Sequence, residues 1–285
     1  MTTETPKNGA LNLPWSYFRL RPFPQIAIRV LQLANREEVP LHKLSGLIGS
    51  DPAFSSEVLT IANSPLYAPR VPATSILQAV ARLGTRCIQG LCLTVGVRVY
   101  LGKTLSEPAM QAIWRHNLAC ALIAEQIALV SSMDKDTAYT AGIVHDIGRL
   151  ALAAIRPKEY MGLLEKHTGT AASILDAERE LFGCDHCEAG KQLIHDWMLP
   201  FDFEAIVSQH HIPGHKGGTW NMSDVVDLSC RLADTAGFTA FAGCETISYA
   251  DLVEELPAPQ RAVFHTSAES LSQDILAKIH AVESV

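Results

Sequence analysis

Apolar positions along this chain recur mostly at helical spacing. Between residues 24 and 36, Ile26, Val30, Leu33 and Ala34 fall at i, i+4, i+7 and i+8, one face of a 3.6-residue period. Asp51-Pro52 reads as a helix start, a cap followed by an N1 proline, and Phe54, Val58, Leu59, Ile61 and Ala62 continue it. Residues 75–83 predict another helix, stopped at Gly84. TRCIQGLCLTVGVRVYLG carries β-branched residues and glycines, but about eighteen residues without a turn signal predict a buried helix and not a strand. Further helices are expected over 109–131, 136–155, 172–182, 187–197, 201–210 and 222–236. A terminal amphipathic helix over 268–283 carries Leu271, Ile275, Leu276 and Ile279. No credible sheet and no fixed-period repeat stand out, so the expected fold is all-α.

The best break falls at LGKTLSEP, 101–108. It divides the chain into a polar tail over 1–14, read as disordered, a helical lobe over 15–104, a second lobe over 105–240, and a C-terminal extension over 241–285. All the clustered histidines lie in the second lobe. The 285 residues are 48% hydrophobic and 19% charged, which is a globular composition. No apolar run reaches the roughly 18 residues of a membrane span. MTTETPKNGALNLP lacks the basic start and apolar core of a signal peptide, so a cytoplasmic location is expected. A net charge of −7 without a lysine or arginine cluster argues against nucleic acid as the main partner. The seven cysteines read as buried thiols; Cys184-Asp185-His186-Cys187 is a C-x-x-C, but no second pair stands at zinc-finger spacing.

The candidate chemistry centres on His145-Asp146 in TAGIVHDIGRLAL. Unpaired polar groups in an apolar interior cost about 2–7 kcal/mol, so such a pair needs hydrogen-bond partners or a metal. Around it stand His116, His186 and the doublet His210-His211. His116 shares a helical stripe with Cys120, Ile123, Ile127 and Val130, which turns it inward. On a continuous helix His145 and Asp146 would point about 100° apart, able to converge on one ion or to bond separate partners. Gly142 and Gly148 would let neighbouring helices approach. A mixed His/Asp set suits Zn, Fe, Mn or Ni better than Ca or Mg. A buried polar network without metal is the competing reading. Asp185 can cap a helix that His186 merely follows, and His210-His211 can end a helix where the dipole favours imidazolium. His42, His167, His195, His215, His265 and His280 show no partner pattern.

Together the motifs resemble the HDOD domain of bacterial signalling proteins. They are LRPFPQIAIRVLQLAN, LHKLSGLIGSDPAFSSEVLTIANSPLYA, SILQAVARLG, WRHN, YTAGIVHDIGRLAL, LDAERELFGCDHCEAG and HDWMLPFDFEAIVSQHH, spanning roughly residues 18–236. The resemblance implies a two-lobed helical fold whose second lobe is related to HD and HD-GYP metal-dependent phosphohydrolases. It places His116, His145 and Asp146 at three metal-ligand positions of the HD enzymes, and His186, His210 and His211 at the additional histidines of the HD-GYP group. Three departures stand out. The last HD ligand, an aspartate, aligns with Ser229-Cys230, leaving Cys230, Asp227 or Asp234 as candidate replacements. The usual lysine is Arg149. IPGHKGG lacks the Gly-Tyr-Pro segment. The expected function is therefore a non-catalytic signal-transduction module working through a signalling protein or a small ligand such as a nucleotide. The alternative is a phosphohydrolase acting on a nucleotide or cyclic dinucleotide with a divalent metal (Mn, Fe, Zn or Ni).

Overall fold

The computed structural model describes residues 22–34, 39–197, 199, 202–212 and 220–283. The 1–14 tail, the end of the 24–36 helix and His215 lie outside them. The described chain is helical apart from a two-residue parallel pairing, as the periodicity predicts.

The first helices are α1 (Gln25–Ala34), α2 (Leu41–Gly49), α3 (Pro52–Ala62), α4 (Ile76–Leu83) and α5 (Thr85–Leu101). Asp51 caps α3 by accepting the Phe54 N–H at 3.0 Å, with Pro52 at N1. Ser75 caps α4 through the Gln78 N–H. α5 is buried on nearly every side from Ile88 to Val97, which is why its β-branched residues settle in a helix. A 3-10 turn over Gly102–Ser106 leads into α6 (Pro108–Val130). There follow α7 (Lys135–Val144), α8 (Ile147–Ile155), α9 (Pro157–Lys166), β1 (Thr168–Gly169), α10 (Ile174–Phe182), α11 (His186–Asp196), α12 (Asp202–Gln209) and α13 (Met222–Thr235). β2 (Gly243–Cys244) pairs with β1 and precedes α14 (Tyr249–Glu254), α15 (Ala258–Arg261) and α16 (Ala268–Glu283). α16 returns along α6, where Glu283 takes both Nε and Nη2 of Arg115 at 2.9 and 2.8 Å.

The continuous helix expected over 136–155 is instead two helices. His145 and Asp146 form the joint, and Asp146 leaves helical geometry at φ −102°, ψ 19°. No proline or cap in the sequence marks this break; the contacts that Asp146 makes in the interior fix it. α9, which the sequence reading did not place, is anchored by buried Tyr160 and Leu164 four residues apart.

Two glycines set the spacing around the joint. A Cβ on Gly142 would overlap the backbone of Ala121 in α6, and one on Gly148 would overlap the His186 carbonyl oxygen in α11. Gly148→Ala is therefore expected to destabilise by about 3 kcal/mol or more, because backbone cannot rotate away as a side chain can. Gly46→Ala in α2, where nothing lies within 4 Å, should be neutral or stabilise by up to about 1 kcal/mol. Urea unfolding of both variants checks this, and similar midpoints would contradict it.

Candidate metal centre

Eight consecutive helices, α6 to α13, contribute polar side chains to one cluster. α6 brings His116, the α7–α8 joint His145 and Asp146, and α8 Arg149. The first turn of α11 brings His186 and Cys187, the end of α12 His210 and His211, and α13 Cys230, while Tyr160 of α9 and Glu178 of α10 stand behind. His145, Asp146, Arg149, Glu178, His186 and His210 are each at most 1% exposed. His211 is half-buried.

Asp146 is the hub. Its Oδ1 lies 3.1 Å from His186 Nε2 and 3.2 Å from His210 Nε2, and its Oδ2 accepts Arg149 Nε–H at 2.5 Å. His145 Nε2 and His116 Nε2 stand farther off, at 3.8 and 4.0 Å from Oδ2. Arg149 reaches on through Nη1 to the Tyr160 hydroxyl and Glu178 Oε1, both at 3.3 Å, and Tyr160 donates to the same oxygen at 2.7 Å. Glu178 Oε2 accepts the His186 Nδ1–H at 2.6 Å and the His186 backbone N–H at 2.8 Å.

Four imidazoles share one orientation. His116, His145 and His210 donate Nδ1–H to the carbonyls of Phe238, Gly142 and Val207 at 2.7, 2.7 and 3.0 Å, and His186 donates to Glu178. Each Nε2 therefore faces inward. Among the described residues the His145 Nε2 has no hydrogen-bond partner although it is buried.

The charges follow from burial and neighbours. Burial would raise the Asp146 carboxyl, but Arg149, His186 and His145 outweigh it and hold it well below the usual carboxylate range. Glu178 is lowered in the same way against its burial, by His186 and Arg149. Burial keeps His145 neutral, helped by His210 and His116, and burial with the same kind of neighbours keeps His211 neutral. Glu178 and Cys187 overcome burial and raise His186 well above the ordinary imidazole value; Cys187 and Asp146 raise His210 to about 9. His186 and His210 in turn bring the Cys187 thiol down to about 6 against its burial. The carboxylate at the centre is thus fully bonded by three N–H donors.

The structure brings together all six histidine and aspartate positions singled out in the sequence. It also separates the three candidates for the missing ligand. Asp227 is held by Arg231, 2.6 Å from Nη2. Asp234 Oδ1 lies 3.4 Å from His116 Nδ1, on the anchored side of the ring, so it orients His116 and does not face the shared space. Cys230 does face it, with Sγ 3.4 Å from His116 Nε2, and burial holds it as a thiol that can donate to that nitrogen. His186 meets both of its readings at once: Asp185 caps α11 in a capping box with Glu188, and the His186 ring still turns inward. Glu178 and Tyr160 had no place in the sequence reading. Glu178 could have been found, since it shares the buried stripe of α10 with Ile174 and Phe182.

Residues 20–213 match the family model described as the HDOD domain. The chain belongs to the HDOD family. A crystal structure of an HDOD domain protein of unknown function from Geobacter sulfurreducens shares 25% identity and a TM-score of 0.70, covering 93% of this chain and 92% of that one. A Shewanella amazonensis protein provisionally named a phosphohydrolase has 20% identity, a TM-score of 0.65 and 94% coverage of both chains. A Marinobacter aquaeolei protein provisionally named a signal transduction protein has 21% identity and a TM-score of 0.63, covering 95% of this chain and 59% of that one. An uncharacterized Treponema pallidum protein is 26% identical over 200 residues, 68% of this HDOD chain but only 38% of the relative's own length.

Among the described residues, three donor groups have ligand atoms within 4.8 Å of one another: His145–Asp146–His210, His116–His145–Cys230, and His186–Cys187–His210–His211. Anchored Nδ1 atoms and the orphaned His145 Nε2 fit a divalent ion. An ion bound through His186 or His210 would have to displace the protons those rings carry.

The His186–Glu178 pair gives a pH signature to the metal-free protein. The Glu178 contribution is present above the ordinary value of 4.5 and is lost as pH falls through its lowered folded value. The His186 contribution is present below 6.5 and is lost as pH rises through its raised folded value. The destabilisation caused by Glu178→Gln, about 3 kcal/mol, should therefore be largest between pH 4.5 and 6.5 and shrink on both sides. Urea unfolding of wild type and variant across this range reads it directly. A pH-independent difference would contradict the pairing.

Proposed function

We propose that this HDOD protein is a non-catalytic regulatory module of signal transduction, acting through a protein partner or a small ligand. One observation carries the reading: the Asp146 carboxylate, which an HD hydrolase would lend to its metal, is itself buried and already bonded by Arg149. Hydrolysis of a phosphoester needs an ion with an open position for water and substrate. Arginine fixed in this way supplies positive charge without such a position. Cys230, a thiol bonded to His116, brings no anionic charge where the HD enzymes have an aspartate.

The orphaned His145 Nε2 favours a second reading, a metal-dependent phosphohydrolase acting on a nucleotide or cyclic dinucleotide. In that case His116, His145 and Asp146, with His186, His210 and His211, would hold the ion, which would supply hydroxide from bound water. For the regulatory reading we place the partner between a lobe over 15–104 and an HD-like lobe over 105–240, with 1–14 as a tail and 241–285 as an extension. No helix among the described residues is long and apolar enough to cross a membrane.

Purified protein is expected not to hydrolyse cyclic-di-GMP, other cyclic nucleotides or (p)ppGpp at enzymatic rates, with or without Mn or Fe. Turnover that disappears in His145→Ala and Asp146→Ala would overturn the regulatory reading. Activity gained only in Cys230→Asp would identify the substitution that silenced the site. Asp146→Ala should also lower the stability of the metal-free protein by about 3–5 kcal/mol, because it leaves Arg149 buried without its partner; thermal and urea unfolding check this, and unchanged melting would contradict it.

A further inference from the structure

We propose that His186, Cys187, His210 and His211 form a site for one zinc-class ion, that Cys187 is its sulfur ligand, and that this ion is a small ligand read by the regulatory module. The inference rests on the regulatory reading above. It assigns that reading a ligand and leaves the Asp146–Arg149 core as a permanent ion pair.

Geometry supports this end of the cluster over the core. The four side chains offer ligand atoms within 4.8 Å of one another. His186 Nε2 and His211 Nε2 come from different helices yet face each other at 3.0 Å, and the Cys187 thiol lies beside the His210 ring. His186 and His210 meet Asp146 on Oδ1, while the Arg149 guanidinium occupies Oδ2. An ion here would therefore avoid the oxygen that already holds a cation. His186 Nδ1–H is held by the Glu178 carboxylate at 2.6 Å, the outer-layer contact that orients histidine ligands of zinc. His211, half-buried where its neighbours are closed off, provides the way in.

Chemistry narrows the ion. One sulfur and three imidazoles make a set that suits zinc in tetrahedral geometry and disfavours magnesium and calcium, which take oxygen ligands. Binding forms one metal–sulfur and three metal–nitrogen bonds, and the protons displaced from the Cys187 sulfur and from the His186 and His210 rings leave to buffer; no oxidant or reductant takes part.

Cobalt(II) is the probe, because thiolate ligation gives an intense near-ultraviolet charge-transfer band that histidine and carboxylate ligands lack. Full-length protein, free of an affinity tag and stripped of metal, is titrated anaerobically. The expected result is one cobalt per chain with the thiolate band, abolished by equimolar zinc and untouched by excess magnesium. Cys187→Ser should lose the band and bind zinc at least about tenfold more weakly, and Cys184→Ser and Cys230→Ser should keep it. His211→Gln, at the half-buried edge, should also weaken binding by at least about tenfold, which keeps the test valid if Cys187→Ser folds poorly. A wild-type titration without the band, a band that survives Cys187→Ser, or one lost only in Cys230→Ser would overturn the proposal. Phosphodiester hydrolysis by zinc-loaded protein would overturn the regulatory reading while leaving the ligand assignment standing. Absence of both band and hydrolysis would overturn the ligand assignment alone.

Discussion

A carboxylate 1% exposed in an apolar interior must be answered by what the protein supplies, and around Asp146 much of the second half of the chain is arranged to that end. α7 and α8 separate so that Asp146 can leave helical geometry. Arg149, one turn on, folds back to its Oδ2, and α11 and α12 deliver imidazoles to its Oδ1. The approach is close enough to need glycine at 142 and 148, where any Cβ would meet backbone. Once Arg149 is buried it imposes a demand of its own, and Glu178 with Tyr160 meets it. Each charge accounts for the next polar residue outward until the chain of contacts ends at carbonyls and caps.

That arrangement has the orientation of a metal site and the charge balance of a structural network. The Nδ1 anchors turn four imidazoles the same way, as ligands of an ion would be turned. The guanidinium beside Asp146 supplies the positive charge that an ion would otherwise bring. A network of this kind is fully satisfied without metal except at His145 Nε2. It pins α6, α8, α11 and α12 in register.

Much of the fold was legible because it depends on local pattern. The stripe through His116, Cys120 and Ile123 predicts an inward His116, and the cap at Asp51 lies where the sequence puts it. The break at His145-Asp146 was not legible, since nothing local forbids a continuous helix there and only the distant partners of Asp146 make the joint favourable. His186 shows the same limit. Its capping role is written in four adjacent residues, whereas its contact with Asp146 depends on how α11 packs on α8. Arg149 could be recognised as a changed residue, but not as a buried one bonded three residues back. Cys187 was obscured by its pairing with Cys184 as a formal C-x-x-C; the structure turns its sulfur to His210.

The claim that Arg149 is the resident cation of Asp146 is tested most directly by a double-mutant cycle on metal-free protein. Asp146→Asn, Arg149→Met and the combined variant are unfolded in urea beside wild type. Strong coupling is predicted: each single change costs about 3–5 kcal/mol, and the double variant costs less than their sum by at least about 1.5 kcal/mol. Additive losses would contradict it, showing that Asp146 and Arg149 do not answer each other's charge.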